Sequence, residues 1–103
     1  MILAKRKPWR SKTYLDWVKT QPSVISCQPA DDAHHIKGHG LGGTTKCSDL
    51  FTIPLTRKEH TEFHVMGWEQ WEERYGSQLL FALKTIERAL LNARLICEMS
   101  VEK

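Results

Sequence analysis

All five histidines of the chain lie between residues 34 and 64, in two clusters separated by a glycine-rich loop. His60 and His64 stand four apart in TRKEHTEFH, a spacing that stacks two imidazoles on one face of a helix. That is the spacing of metal ligands. A helical histidine pair alone is as often a surface or capping feature as a site, so the weight rests on its coupling to the adjacent pair His34 and His35. Arg57 and Lys58 open the same helix, where the backbone dipole favours anions. They are candidates for phosphate contact as well as ordinary surface charges.

The elements that must carry these side chains follow in order. Ser11 caps a short helix over SKTYLDWVKTQ, with Tyr14, Trp17 and Val18 on one side, and Pro22 stops it. Trp17 reads as a core residue; the other reading puts Trp9 and Trp17 against nucleic-acid bases. SVISCQPA begins extended, with Val24 and Ile25 as strand residues, and a first strand ends near His34 to Ile36. KGHGLGGTTKCS is a flexible loop closing a hairpin and carries His39; it lacks the closing Gly-Lys-Ser/Thr of a P-loop and opens no helix. DLFTIPL returns as the second strand, with Pro54 ending the ladder. Thr56 caps the histidine-bearing helix with Glu59 in capping-box register, and Gly67 ends it. WEQWEERYG is a further short helix with Trp68, Trp71 and Tyr75 packed along one side. A long helix then runs from Ser77 to about Met99, with Leu79, Leu83, Ile86, Leu90, Ala93 and Cys97 repeating at alternating steps of four and three. The fold class is α+β, in a single domain over residues 1–103.

Composition narrows the setting. The chain is 41% hydrophobic and 26% charged, as in ordinary soluble domains, and no apolar run approaches a membrane span. MILAKRKPWR places charge where the apolar core of a secretory leader would sit. Cys27, Cys47 and Cys97 are odd in number and widely spaced, which fits reduced thiols in a cytoplasmic setting better than a disulfide framework. The net charge of +3 is modest, but Lys5, Arg6, Lys7, Arg10 and Lys12 crowd the first twelve residues without an acid. That basic arm, residues 1–12, has the form of a phosphate-contacting segment, or of a solvated terminus.

Strand, glycine-rich loop, strand and helix, with a histidine pair ending the first strand and H-x3-H in the helix, resembles the HNH or His-Me-finger endonucleases and their ββα-metal core. The resemblance covers residues 27 to 66, within a core expected over 23–66. HHIKGHGLGG followed by DLFTIPLTRKEHTEFH is most similar to short HNH proteins of lambdoid phages and prophages, including a group defined only as a domain of unknown function, and more distantly to the RecA-dependent recombination nuclease Ref.

The resemblance implies a ββα-metal core decorated by an N-terminal helix and a long C-terminal helix over 77–99, acting as a divalent-metal-dependent DNA endonuclease. It makes His34, His60 and His64 the ligands of one divalent ion and His35 the general base. Elementary chemistry agrees, because an imidazole with an ordinary pKa can take a proton from water at neutral pH, whereas one bound through its basic nitrogen cannot. Asp49 falls where the family usually carries Asn. Asp accepts from backbone N–H groups as Asn does but cannot donate, so it is expected to hold the loop and the His35 ring. Cleavage would leave 5′-phosphate and 3′-hydroxyl ends. The ion would be Mg, Mn, Zn or Ni; three imidazoles hold Zn, Ni or Co more tightly than Mg. The paired cysteines that bind a structural zinc in many HNH proteins are missing, so no structural zinc is expected. A rival reading builds a structural zinc site from Cys27 or Cys47 with His60 and His64. Another keeps the fold as a non-catalytic nucleic-acid-binding or recombination-accessory module.

Two structural questions follow. Adjacent residues of a flat strand point to opposite faces, so His34 and His35 share a site only if the chain turns or bulges there. The long C-terminal helix carries more apolar surface than so small a core can use. It is covered either by the other helices or by its copy in a two-fold homodimer.

Overall fold

The computed structural model describes residues 7–41 and 45–101, with side chains of the last helix as far as residue 93. It is a small α+β domain of four helices and one two-stranded antiparallel sheet. The order is α1 (Lys12–Lys19), β1 (Asp32–His35), β2 (Thr52–Leu55), α2 (Arg57–Met66), α3 (Trp68–Tyr75) and α4 (Gln78–Val101). Lys5 and Arg6 of the expected basic arm lie outside the described residues.

The caps fall where the residue types demand them. Ser11 Oγ accepts from the Tyr14 amide at the start of α1. Thr56 and Glu59 form a reciprocal capping box on α2, which satisfies two otherwise orphaned amides. Asp31 Oδ2 accepts from the Arg57 amide as well. The amino end of α2 is therefore occupied by the protein's own carboxylates rather than left open to an anion.

β1 and β2 pair in unbroken register, His34 opposite Ile53 and His35 opposite Thr52. No bulge separates the two histidines. Pro54 does not end the ladder, as its lack of an N–H led us to expect, but sits within it opposite Ala33. Its carbonyl accepts from the Val24 amide at 3.1 Å. That edge of the residue therefore points away from β1, where a missing N–H costs the ladder nothing. The donor belongs to a tight turn: Val24 and Ile25 are not strand residues but turn the chain between Pro22 and Pro29, with the Ser23 hydroxyl accepting from the Ile25 amide.

The core gathers Ile36, Cys47, Ile53, Leu55, Phe63, Trp71 and Ala82. Trp71 is the largest fully buried side chain and meets Phe63, Tyr75 and Phe81 at ring-centroid distances of 5.4, 5.2 and 6.2 Å. Trp17, expected in the core, is only half-buried and stacks on Tyr14, while Trp9 packs edge-on against the same ring.

α4 docks on β2 through a face other than the leucine seam. Among its described side chains, Gln78, Ala82 and Thr85 are buried. Small side chains there let the helix approach the strand closely, and Phe81 fills the space beside Trp71. Leu83 and Leu90 are 60% and 67% exposed. Replacing both by Gln, a comparable helix former, is therefore expected to change the stability of the isolated domain by less than about 1 kcal/mol, whereas Trp71→Ala costs about 3–5 kcal/mol. Denaturant unfolding followed by circular dichroism measures both. A large, concentration-dependent loss in the leucine variant would mean that a second copy covers this face.

Candidate metal centre

α2 carries Phe63 into the core and thereby turns His60 and His64 toward β1. One turn apart, their rings lie 4.8 Å centre to centre, and the two Nε2 atoms are 3.2 Å apart. His34 enters from β1 beneath them, 1% exposed and packed 4.2 Å from the Phe63 ring. Its ring is 5.0 Å from that of His60 and 6.2 Å from that of His64. One nitrogen from each of the three lies within 4.8 Å of the others. Two imidazole nitrogens bound to one tetrahedral ion at about 2.1 Å would stand about 3.4 Å apart, so the His60–His64 edge already has nearly the span that an ion needs. The three residues fit a divalent ion.

The partners of these rings decide which nitrogen is free. Asp32 Oδ2 lies 3.1 Å from His60 Nδ1, and Arg57 reaches both oxygens of the same carboxylate at 3.0 and 3.1 Å. The Arg57 guanidinium, and after it His60, hold the Asp32 carboxyl below its ordinary value. Asp32 is thus an ionised acceptor, His60 donates through Nδ1–H, and Nε2 is left for an ion. Arg57, a candidate for phosphate contact, pairs with this carboxylate while its side chain stays largely exposed. Lys58 is exposed. Burial, with the nearby charges of His60, His64 and Lys37, pushes the His34 pKa down to about 3 despite an opposing hydrogen bond to Gln78. Desolvation lowers that of His64 too. Both rings are neutral at physiological pH, the form that binds metal.

His35 has a different partner. Its Nε2 lies 2.7 Å from Asp49 Oδ1, and Asp49 is 2% exposed. Burial raises the Asp49 carboxyl, but hydrogen bonds from His35 and the Ser11 amide, with the charge of Arg10, outweigh it and leave the carboxyl below its usual range. An ionised Asp49 makes His35 the donor through Nε2–H. Arg10, expected to contact nucleic acid, is bound to Asp49 Oδ1 at 3.1 Å and to the carbonyls of Cys47 and Lys46. Lys7 remains exposed.

Although the strand is regular, His34 and His35 line one cleft of about 190 Å3, together with Ala33, Lys37, Lys46, His60 and His64. Cys47 takes no part: its thiol faces the carbonyls of Ile36 and Phe51 in the core, and burial pushes its pKa up. Among the described residues no cysteine joins the histidine cluster. His39, in the left-handed region at φ 55°, is clamped to the Glu72 carboxylate at 2.9 Å. Asp32, Lys37, Lys46 and Gln78 were not singled out in the sequence. Asp32 stands two before His34 on the strand, and the lysines flank the glycine loop; those spacings could have pointed to them. Gln78 offered no such signal.

A family model described as "Protein of unknown function (DUF968)" matches residues 1–92. The chain belongs to the DUF968 family. All three clustered histidines, the His35–Asp49 pair, both cleft lysines and Gln78 of this DUF968 chain fall inside the matched segment. The chain is 50% identical over 91 residues to "Uncharacterized protein YdfU" of Escherichia coli (strain K12), an alignment that covers 87% of this chain and 26% of that protein. It thus spans about a quarter of the length of the curated relative it matches. No solved structure matches. No helix among the described residues is long and apolar enough to cross a membrane.

Two outcomes are expected. Purified protein should bind one zinc or nickel ion with a rise in melting temperature. His60→Ala and His64→Ala should each weaken that binding at least tenfold by calorimetry, because an ion bound only by the native state stabilises it; unchanged stoichiometry in both variants would remove the ligand assignment. In metal-free protein, His34 takes up its proton near pH 6.5 when unfolded but only near pH 3 when folded. The unfolded state binds more protons between those values, so stability falls as pH drops below 6.5. Asp32 and Asp49, with lowered values, extend that loss into acid. Melting temperatures in chelator from pH 7.5 to 5 measure the slope, and His34→Asn should flatten it.

Proposed function

We propose that this domain is a divalent-metal-dependent DNA endonuclease of the HNH, ββα-metal class, acting in phage DNA recombination or processing. The observation that supports this best is the placement of a free imidazole base, His35 oriented by Asp49, in the same cleft as the His34, His60 and His64 cluster. A site that only held an ion for stability would need no oriented base beside it.

In this reading His34, His60 and His64 hold the ion. A divalent ion held there would supply positive charge to offset the negative charge that grows as the phosphodiester bond breaks. His35 Nδ1 accepts the proton of the attacking water, and the Asp49 carboxylate stabilises the imidazolium that results. Asp49 does what the family's Asn does for orientation and adds a charge that Asn lacks. Lys37 and Lys46 attract the phosphate backbone to the cleft mouth, the role that charge alone suggested for Arg10 and Arg57. Loss of the 3′ oxygen leaves 5′-phosphate and 3′-hydroxyl ends.

The test is nicking of supercoiled plasmid across Mg, Mn, Zn and Ni with a chelator control. His35→Ala should lower the rate by about 10²-fold or more without changing metal content. A metal-loaded wild type that binds DNA and leaves the plasmid intact would overturn the nuclease reading in favour of a binding module. Lys37→Ala with Lys46→Ala should weaken DNA binding and reduce the slope of log affinity against log salt by about 1 for each phosphate no longer neutralised; an unaltered slope would exclude the two lysines.

A further inference from the structure

Gln78 is the one fully buried amide side chain among the described residues, and it stands at the first turn of α4, 44 residues from the strand it serves. All four of its contacts are hydrogen-bond partners of known or deducible role. Oε1 lies 3.0 Å from the Lys37 amide, which can only donate. Nε2 lies 2.8 Å from the Lys37 carbonyl and 2.9 Å from Glu72 Oε2, which accept. The orientation of the amide is therefore forced: its oxygen, not its nitrogen, faces His34 Nε2 at 3.2 Å. An oxygen with no proton leaves His34 Nε2 one role, that of donor.

Glu72 completes the arrangement from α3. Its Oε2 accepts from the Gln78 backbone amide at 3.2 Å as well as from the side chain, and both its oxygens face His39 Nε2. The carboxyl is raised by burial but held below its ordinary value by His39 and Gln78, so it remains an acceptor. The buried amide is thus locked from both ends.

We propose that Gln78 is a positioning residue for the metal centre: it fixes His34 as the Nε2–H tautomer, so that Nδ1 presents its lone pair to the ion. This inference rests on the metal reading of His34, His60 and His64, and it gives the buried ligand the same kind of support that Asp32 gives His60. His34 and His60 then each have one nitrogen committed to the protein and one to the ion. Removing such a partner costs 10–100-fold in metal affinity in comparable sites.

Nitrogen-15 correlation spectra of histidine-labelled, metal-free protein read the tautomer directly, and zinc calorimetry reads its consequence. Wild type should show His34 with a slowly exchanging Nε2–H and no Nδ1–H. Gln78→Met, which keeps the length and removes the amide, should lose that protected proton, populate both tautomers and bind zinc 10–100-fold more weakly. An Nδ1–H tautomer in the wild type would overturn the inference even if Gln78→Met failed to fold. So would zinc affinity unchanged in Gln78→Met. A wild type that binds no zinc while showing the protected Nε2–H would sink the metal reading and leave the tautomer assignment to Gln78 standing.

Discussion

A neutral imidazole buried beneath a helix is the constraint around which this domain is arranged. His34 is almost wholly removed from water, and a ring in that position can neither carry a charge cheaply nor leave both nitrogens unpartnered. The fold answers with Phe63 against one face of the ring, Gln78 against one nitrogen, and His60 and His64 across the remaining opening. Three helices contribute: α2 supplies Phe63 and the histidine pair, α4 supplies Gln78, and α3 supplies the Glu72 that holds Gln78. The two short strands serve mainly to bring these helices to one point. A two-stranded ladder alone is marginal in water, so its persistence depends on the Trp71, Phe63, Ile53 and Leu55 packing that the helices provide.

Charge is distributed around the cleft in a consistent way. Lys37 and Lys46 line the mouth, while Arg10 and Arg57, themselves exposed, pair with the carboxylates that orient histidines. The domain thus commits its two best-placed guanidiniums to Asp49 and Asp32. Arg57 meets Asp32 through two bonds, a match that an ammonium cannot make, while Arg10 gives one bond to Asp49 and others to the Cys47 and Lys46 carbonyls. The result is a site in which each of three histidines, His34, His35 and His60, has one nitrogen directed by a named group.

Much of the scaffold was legible in the chain because it rests on local rules. The Ser11 and Thr56 caps, the helix ends at Gly67 and Gly76, and the hairpin that returns to α2 follow from side-chain chemistry within a few residues. The stacking of His60 on His64 follows from helical periodicity alone. Where local signals misled, a tertiary contact had overridden them. Val24 and Ile25 have the β-branched character of strand residues, yet the Ser23 hydroxyl and the pairing of Pro22 with Pro29 turn the chain there. Pro54 stays in the ladder because its amide edge faces the Val24 turn rather than β1. The leucines of α4 repeat like a core seam, but the close approach allowed by Ala82 and Thr85 rotates the opposite face onto β2.

Residue types and spacing by themselves determined which side chains could hold an ion or move a proton, since those properties belong to imidazole and to the helical repeat. They could not determine which nitrogen of each ring is free, because a tautomer is set by whatever lies against the other nitrogen. Those groups come from far along the chain: Gln78 is 44 residues from His34, Asp32 is 28 from His60, and Asp49 is 14 from His35. Nor could sequence assign Arg10 and Arg57, whose charge suits a phosphate and a carboxylate equally well. Tertiary structure adds that a carboxylate lies within reach of each guanidinium.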